Sequence, residues 1–239
     1  MLLSLSLIAP VAPAQAMDHK NFDEVLHAYV KNGRVDYPGV AKDARFAAYI
    51  AELKNTNADT LPSREEKLAF WMNAYNALAM KGIVDGYSPS TFFGKGRYFY
   101  LNKYDVGGKN INLYNMENEI IRPFGEPRIH FSIVCASGSC PKLRSDAYTA
   151  QKLEQQLDEN TRGFINDTTR NRFDKQAKVA QLSMIFKWFD EDFSKHSGSM
   201  LKYIAPYLND KETAAEIGGY SIKHLEYDWS LNGTAPPGK

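Results

Sequence analysis

From Ser63 to Leu78 the chain reads SREEKLAFWMNAYNAL, and no other stretch narrows the fold as much. Ser63 followed by Glu66 makes a capping box just after Pro62, the signature of a helix start. Leu68, Trp71, Tyr75 and Leu78 then recur at helical spacing as an apolar stripe. Asn73 and Asn76 lie on other faces, flanked by Ala74 and Ala77. Amides in so apolar a helix need hydrogen-bond partners if buried, so they are expected to tie a neighbouring loop to it. Two helices are expected before it. One runs from Phe22 to Val30 and stops at Gly33, and the other passes through Phe46, Tyr49, Ile50 and Leu53.

Beyond this helical half, Ser88-Pro89-Ser90 breaks the chain. Arg97 to Val106 and Lys109 to Leu113 flank Gly107-Gly108, which predicts a β-hairpin with a two-residue turn. A short helix is expected from Tyr114 to Arg122, ending before Pro123. Ile129 to Val134 reads as a short buried strand. Tyr148 and Leu153 are placed to staple a helix start around Thr149, opening a helix through Leu157 to Phe164. Lys178 to Ser183 alternates as a strand does. Ser183 then caps a helix carrying Ile185, Phe186, Trp188, Phe189 and Phe193, and another helix covers Met200 to Leu208. Leu225, Tyr227, Trp229 and Leu231 alternate with polar residues and predict a last strand. Helices lead and strands come mid-chain and late, with no internal repeat, so the expected class is α+β. The expected architecture is a single domain over 17–232, a helix-rich N-terminal half packed on a small, mostly antiparallel sheet, followed by a loose tail over 233–239.

The 239 residues suffice for one domain with a full core. A formal net charge of +1 gives no electrostatic argument for DNA, RNA or an anionic membrane as partner. The opening MLLSLSLIAPVAPAQA is apolar and ends Ala14-Gln15-Ala16, a small-x-small cleavage pattern, so residues 1–16 are expected to be a signal peptide. The run is too short to span a bilayer, and no later stretch reaches that length. A periplasmic or secreted protein is therefore expected. In that compartment the two cysteines, Cys135 and Cys140, read either as a disulfide or as a nucleophile with a neighbour.

Concentrated chemistry is confined to Arg128–Pro141, RIHFSIVCASGSCP. A thiol becomes a nucleophile when a base favours the thiolate, and His130 lies five residues before Cys135. Residues five apart on a straight strand face opposite ways, so pairing requires the strand to end or turn before Cys135. The small residues Ala136-Ser137-Gly138-Ser139 allow that turn and are expected to leave loop amides free as an oxyanion hole. Glu117 is the nearest acid in sequence to orient the imidazole. A second assignment sets Cys135 with His224 and Asp228. The structural alternative makes Cys135–Cys140 a disulfide, His130 a core histidine and Glu117 an ion-pair partner. Zinc through His130, Cys135 and Cys140 lacks an evident fourth ligand, and no metal or cofactor is expected.

Five stretches carry a resemblance: FWMNAYNAL (Phe70 to Leu78), the helix around Met116-Glu117 ending at Arg122, RIHFSIVCASGSCPKL (Arg128 to Leu143), LSMIFKWFDEDF (Leu182 to Phe193) and YDWSLN (Tyr227 to Asn232). Together, in register from about Ser63 to Asn232, they resemble the domain-of-unknown-function 547 family. The resemblance implies a core similar to papain-like and transglutaminase-like cysteine enzymes, with Glu117, His130 and Cys135 as the catalytic set. It also implies a recurrent Cys140. The family's glutamate is commonly followed by a histidine, and here that place is Asn118. The expected function is thus an exported thiol-dependent hydrolase or acyl-transferase acting on an amide or thioester bond, with a peptide-like or amide-containing substrate. The alternative is a non-catalytic binding or scaffold protein that grips a protein partner and carries a Cys135–Cys140 disulfide.

Overall fold

A computed structural model describes residues 16–235. The expected signal peptide, except Ala16, and residues 236–239 of the expected tail lie outside the described residues. The chain opens with α1 (Lys20–Tyr29), a tight hairpin of β1 (Val30–Lys31) and β2 (Arg34–Asp36), then α2 (Tyr37–Lys42) and α3 (Ala44–Asn55). The expected stop at Gly33 is the hairpin turn itself, where Asn32 and Gly33 both take positive φ. Next comes α4 (Arg64–Val84), the long central helix. The Ser63 hydroxyl accepts the Glu66 N–H at 3.0 Å, the cap that its sequence announces. The predicted stripe is only one side of α4, because Phe70, Met72, Ala74 and Ala77 are buried as well. A helix apolar all round belongs inside the molecule, and α4 is the axis of the larger core.

After α4, a helical run of α5 (Phe92–Lys95) and a π-helical turn (Gly96–Leu101) replaces the start of the predicted hairpin arm. The hairpin itself is β3 (Lys103–Val106) and β4 (Lys109–Asn112), in the register Val106 opposite Lys109. Gly107 is required at its turn: its φ is +60°, and a Cβ there would stand 2.7 Å from the Trp71 ring. The short α6 (Leu113–Asn115) then widens into a π-helical turn, Met116–Ile121, and tightens into a 3-10 turn, Arg122–Phe124.

The predicted strand at Ile129 to Val134 is not formed. Pro127–Phe131 is a 3-10 turn, and the chain beyond it is irregular. The physical reason lies on α4. The Asn76 side-chain amide donates to the Ser132 carbonyl at 3.0 Å, and its carbonyl accepts the Val134 N–H at 2.8 Å. These are backbone groups that a sheet neighbour would otherwise take. Asn73 does the same for Tyr148, at 2.8 and 2.9 Å. The two amides thus dock the loop to the helix.

The C-terminal part comprises α7 (Leu153–Ile165), β5 (Arg172–Asp174), β6 (Val179–Leu182), α8 (Met184–Trp188), α9 (Asp190–Ser197), α10 (Met200–Ile204), α11 (Lys211–Glu216), β7 (Ser221–His224) and β8 (Gly233–Thr234). Helix α7 starts after Lys152, not at the predicted Thr149 cap. Ser183 caps α8 as expected, accepting from the Ile185 N–H at 3.3 Å. The predicted single, mostly antiparallel sheet is instead three small sheets, β1-β2-β8, β3-β4 and β5-β6-β7. Two of them contain a parallel pair, β2 with β8 and β6 with β7. The predicted strand at Leu225 to Leu231 is displaced, since the strand pairing ends at His224 and residues 225–229 are irregular. Gly233 and Thr234 are not loose tail but pair with Val35 and Asp36. The class is nonetheless α+β. Phe131 of the 3-10 turn and Phe186, Phe193 and Tyr203 of the C-terminal helices centre a second apolar cluster.

Candidate active site

The irregular stretches converge on one cavity of about 490 Å³. Each of its polar residues comes from an element whose local geometry aims it there. The 3-10 turn Pro127–Phe131 buries His130, and the first turn of α9 presents Asp192 to it. His130 Nε2 lies 2.8 Å from Asp192 Oδ2. Asp192 also receives two hydrogen bonds from Arg122, from Nε at 2.8 Å and Nη2 at 2.9 Å. Phe189 stacks on the imidazole with centroids 3.9 Å apart.

Burial pushes the His130 imidazole below its ordinary value, against the pull of Asp192. Burial acts to raise the Asp192 carboxyl, but His130 and Arg122 outweigh it and hold that carboxyl well below the usual range. Arg122 is the counter-charge of the Asp192 carboxylate. A neutral ring that donates Nε2–H to Asp192 carries its lone pair on Nδ1. That atom is buried and has no hydrogen-bond partner.

Glu117 faces this free nitrogen, its Oε1 standing 4.0 Å from Nδ1. The π-helical turn Met116–Ile121 is what sets it there, a distortion that recurs at functional sites. Burial pushes its carboxyl up from 4.5 to about 7, a shift that Arg122 and a 3.4 Å hydrogen bond from the Tyr75 hydroxyl reduce. At 4.0 Å the two groups do not bond directly, but an atom placed between them would touch both. Asn118 also lines the cavity. Its side-chain oxygen accepts from Arg122 Nη1 at 2.7 Å, so it helps to set the guanidinium that holds Asp192.

Cys135 and Cys140 reach the same cavity as a disulfide, with Cα atoms 6.3 Å apart. Of the two readings of the cysteines, the bridged one is the form present here. The Cys135 N–H donates to the Cys140 sulfur at 3.0 Å, and Ala136 beside it takes a positive φ of 61°. The Tyr227 hydroxyl lies 3.5 Å from the Cys135 sulfur, 3.3 Å from that of Cys140 and 2.9 Å from Ser137 Oγ. The loop amides expected to be free are in part engaged. Gly138 N–H donates to the Ser230 carbonyl at 2.6 Å, and Ser139 N–H to that of Asp228 at 3.0 Å. The loop's carbonyls are held in turn by Arg170, at 2.9 Å to Gly138 and 2.7 Å to Cys140.

Glu117, from one stretch, and His130 and Cys135, from another, thus line one cavity. The second assignment does not assemble: His224 lies exposed on β7, and Asp228 binds Ser139 and Ser230. Asp192, Arg122 and Tyr227 are the participants that sequence reasoning did not single out. Nothing in the run Asp190-Glu191-Asp192 marks which acid turns inward. Only the position of Phe189 and Phe193 against the histidine decides it.

No curated protein and no solved structure matches the chain. Among the described residues no helix is long and apolar enough to cross a membrane. Residues 59–165, which include α4, Glu117, His130 and both cysteines, match the model of one family, described as protein of unknown function, DUF547.

Proposed function

We propose that the chain is an exported, thiol-dependent hydrolase or acyl-transferase acting on an amide or thioester bond, and that the Cys135–Cys140 bridge is its oxidised resting form. The observation that carries this reading is the single cavity lined by Cys135, His130 and Glu117. A dithiol reductant would supply two electrons and two protons, breaking the S–S bond and leaving two thiols. The free His130 Nδ1 would take the Cys135 proton, and the sulfur would attack the carbonyl carbon. The departing amine or thiol would take that proton. Water or another acceptor would then attack the acyl-sulfur bond and restore the thiol.

The geometry supports a change in the division of labour. Asp192, not Glu117, orients the imidazole. Glu117 stands on the reacting side, with a carboxyl near neutrality that can hold or release a proton. A cysteine that shares a cavity with an imidazole anchored by an acid is compatible with papain-like and transglutaminase-like enzymes, and the proposal extends to a core of that kind. A second reading, a disulfide-bridged binding protein, is favoured by the bridge itself and by the aromatic cavity wall of Trp188, Tyr227 and Trp229.

The test compares wild type with and without a phosphine reductant, and Cys140→Ser without it, by iodoacetamide labelling across pH and by turnover of fluorogenic thioesters and amides. The expected result is a Cys135 thiol that labels with a pKa below about 8.5, the ordinary value. Turnover should appear only when the bridge is absent and fall roughly 10²–10⁴-fold in His130→Ala. An unreactive Cys135 in both reduced and Cys140→Ser protein would refute the enzyme and leave the binding reading.

A further inference from the structure

The helical run Phe92–Leu101 carries the most exposed large apolar side chains among the described residues. Phe92 is 84% exposed, Phe93 85% and Leu101 74%, with Tyr100 half-exposed beside them. Phe92 and Phe93 meet edge to face and project from the first turn. Scattered exposed apolar residues need no explanation, but adjacent phenylalanines left in water beside further apolar residues mark a contact surface.

Charge identifies the contact. From Thr91 to Tyr104, TFFGKGRYFYLNKY, the only ionisable side chains besides tyrosines are basic: Lys95, Arg97 and Lys103. The formal net charge of +1 hides this local excess, because acids elsewhere offset it. Apolar aromatics with exposed Arg97 on a short helical run, Lys103 at the start of β3 beside it, and Lys95 over the Trp229 ring, are the makings of an interfacial segment. The rings enter the headgroup boundary and the cations meet anionic lipid.

We infer that Phe92–Leu101 is a docking surface for an anionic lipid bilayer. The consequence for the cavity is direct, because Lys95, Phe99 and Tyr100 of the same run line it. Docking there sets one wall of the cavity at the bilayer surface, whatever chemistry the cavity performs. The inference stands independently of the catalytic proposal.

The experiment is co-sedimentation of the full chain with vesicles of phosphatidylglycerol and phosphatidylethanolamine, against vesicles of phosphatidylcholine alone. Phe92→Ser/Phe93→Ser and Arg97→Glu/Lys103→Glu are compared with the parent. These residues lie outside the cavity, and the variants share the parent's apolar N-terminus, so only differences between proteins count. Circular dichroism first establishes that each variant is folded. The parent is expected to bind anionic vesicles in preference to neutral ones. Each double substitution should lower the partition coefficient at least about tenfold. Equal binding to both lipids, or binding unchanged in the phenylalanine variant, overturns the inference. So does concentration-dependent dimerisation that those substitutions abolish in the absence of lipid, which would assign the patch to a second copy.

Discussion

Replacing Asn76 by Ala should destabilise this protein by about 3 kcal/mol. Its side chain holds two backbone groups, the Ser132 carbonyl at 3.0 Å and the Val134 N–H at 2.8 Å, in residues almost entirely buried. An unsatisfied buried donor or acceptor costs about 1–3 kcal/mol. The Val134 N–H would lose its partner outright, whereas the Ser132 carbonyl would retain a 3.3 Å bond from the Tyr148 hydroxyl. The sum is about 3 kcal/mol, which for a chain of this length corresponds to a fall in Tm of roughly 6–12 °C. Asn76→Asp sharpens the test. A neutral carboxylic acid can donate to Ser132 and accept from Val134, but a carboxylate can only accept and would repel the carbonyl. The Asp variant should therefore lie close to wild type at pH 4–5 and fall towards the Ala variant near pH 8. Scanning calorimetry at both pH values measures it. A fall of less than about 2 °C for Asn76→Ala, or an Asp variant indifferent to pH, would refute the docking role of the amide.

Two further outcomes concern the charged groups of the cavity. Glu117 has its carboxyl raised from 4.5 to about 7, so the stability given by its neutral form is complete below 4.5 and lost as pH rises to about 7. Glu117→Gln, neutral throughout, should gain in Tm relative to wild type between pH 5 and 8, and a constant difference would argue against a buried carboxyl. Asp192 is held below its ordinary 3.8, so its contribution is present above that value and lost on acidification. Asp192→Asn should cost about 1–3 kcal/mol in urea unfolding at pH 7, where Arg122 loses its counter-ion, and distinctly less at pH 3. An equal cost at both pH values would mean that the ion pair is not what Asp192 contributes.

The parts of this fold that were legible in the sequence are those set by local pattern. The α4 start, the Gly107-Gly108 turn and the Ser183 cap each follow from residues within a few positions of one another. The misread stretches share another character: their backbone partners come from far along the chain. Ile129 to Val134 is apolar and β-branched in part, which describes a buried strand and a buried loop equally well. What makes it a loop is Asn76, 56 residues away from Ser132. Tyr227 and Trp229 alternate with polar residues as a strand would, yet the chain there runs across the loop of Gly138 and Ser139. Gly233 and Thr234, in a stretch rich in glycine and proline, find a partner in β2.

The candidate site divides in the same way. The sequence by itself determined the α+β class, the pairing of chemistry with Arg128–Pro141, and Glu117, His130 and Cys135 as the residues to watch, because residue type and spacing carry that information. Only the tertiary structure decided which partners each of them meets there. It joined Cys135 to Cys140, brought Asp192 to the Nε2 of His130, and left Nδ1 facing Glu117. The physical reason is that a side chain's role depends on its partners and its burial. Both are settled by long-range packing of elements, here α4, the Met116–Ile121 turn and α9, whose mutual placement no local pattern encodes.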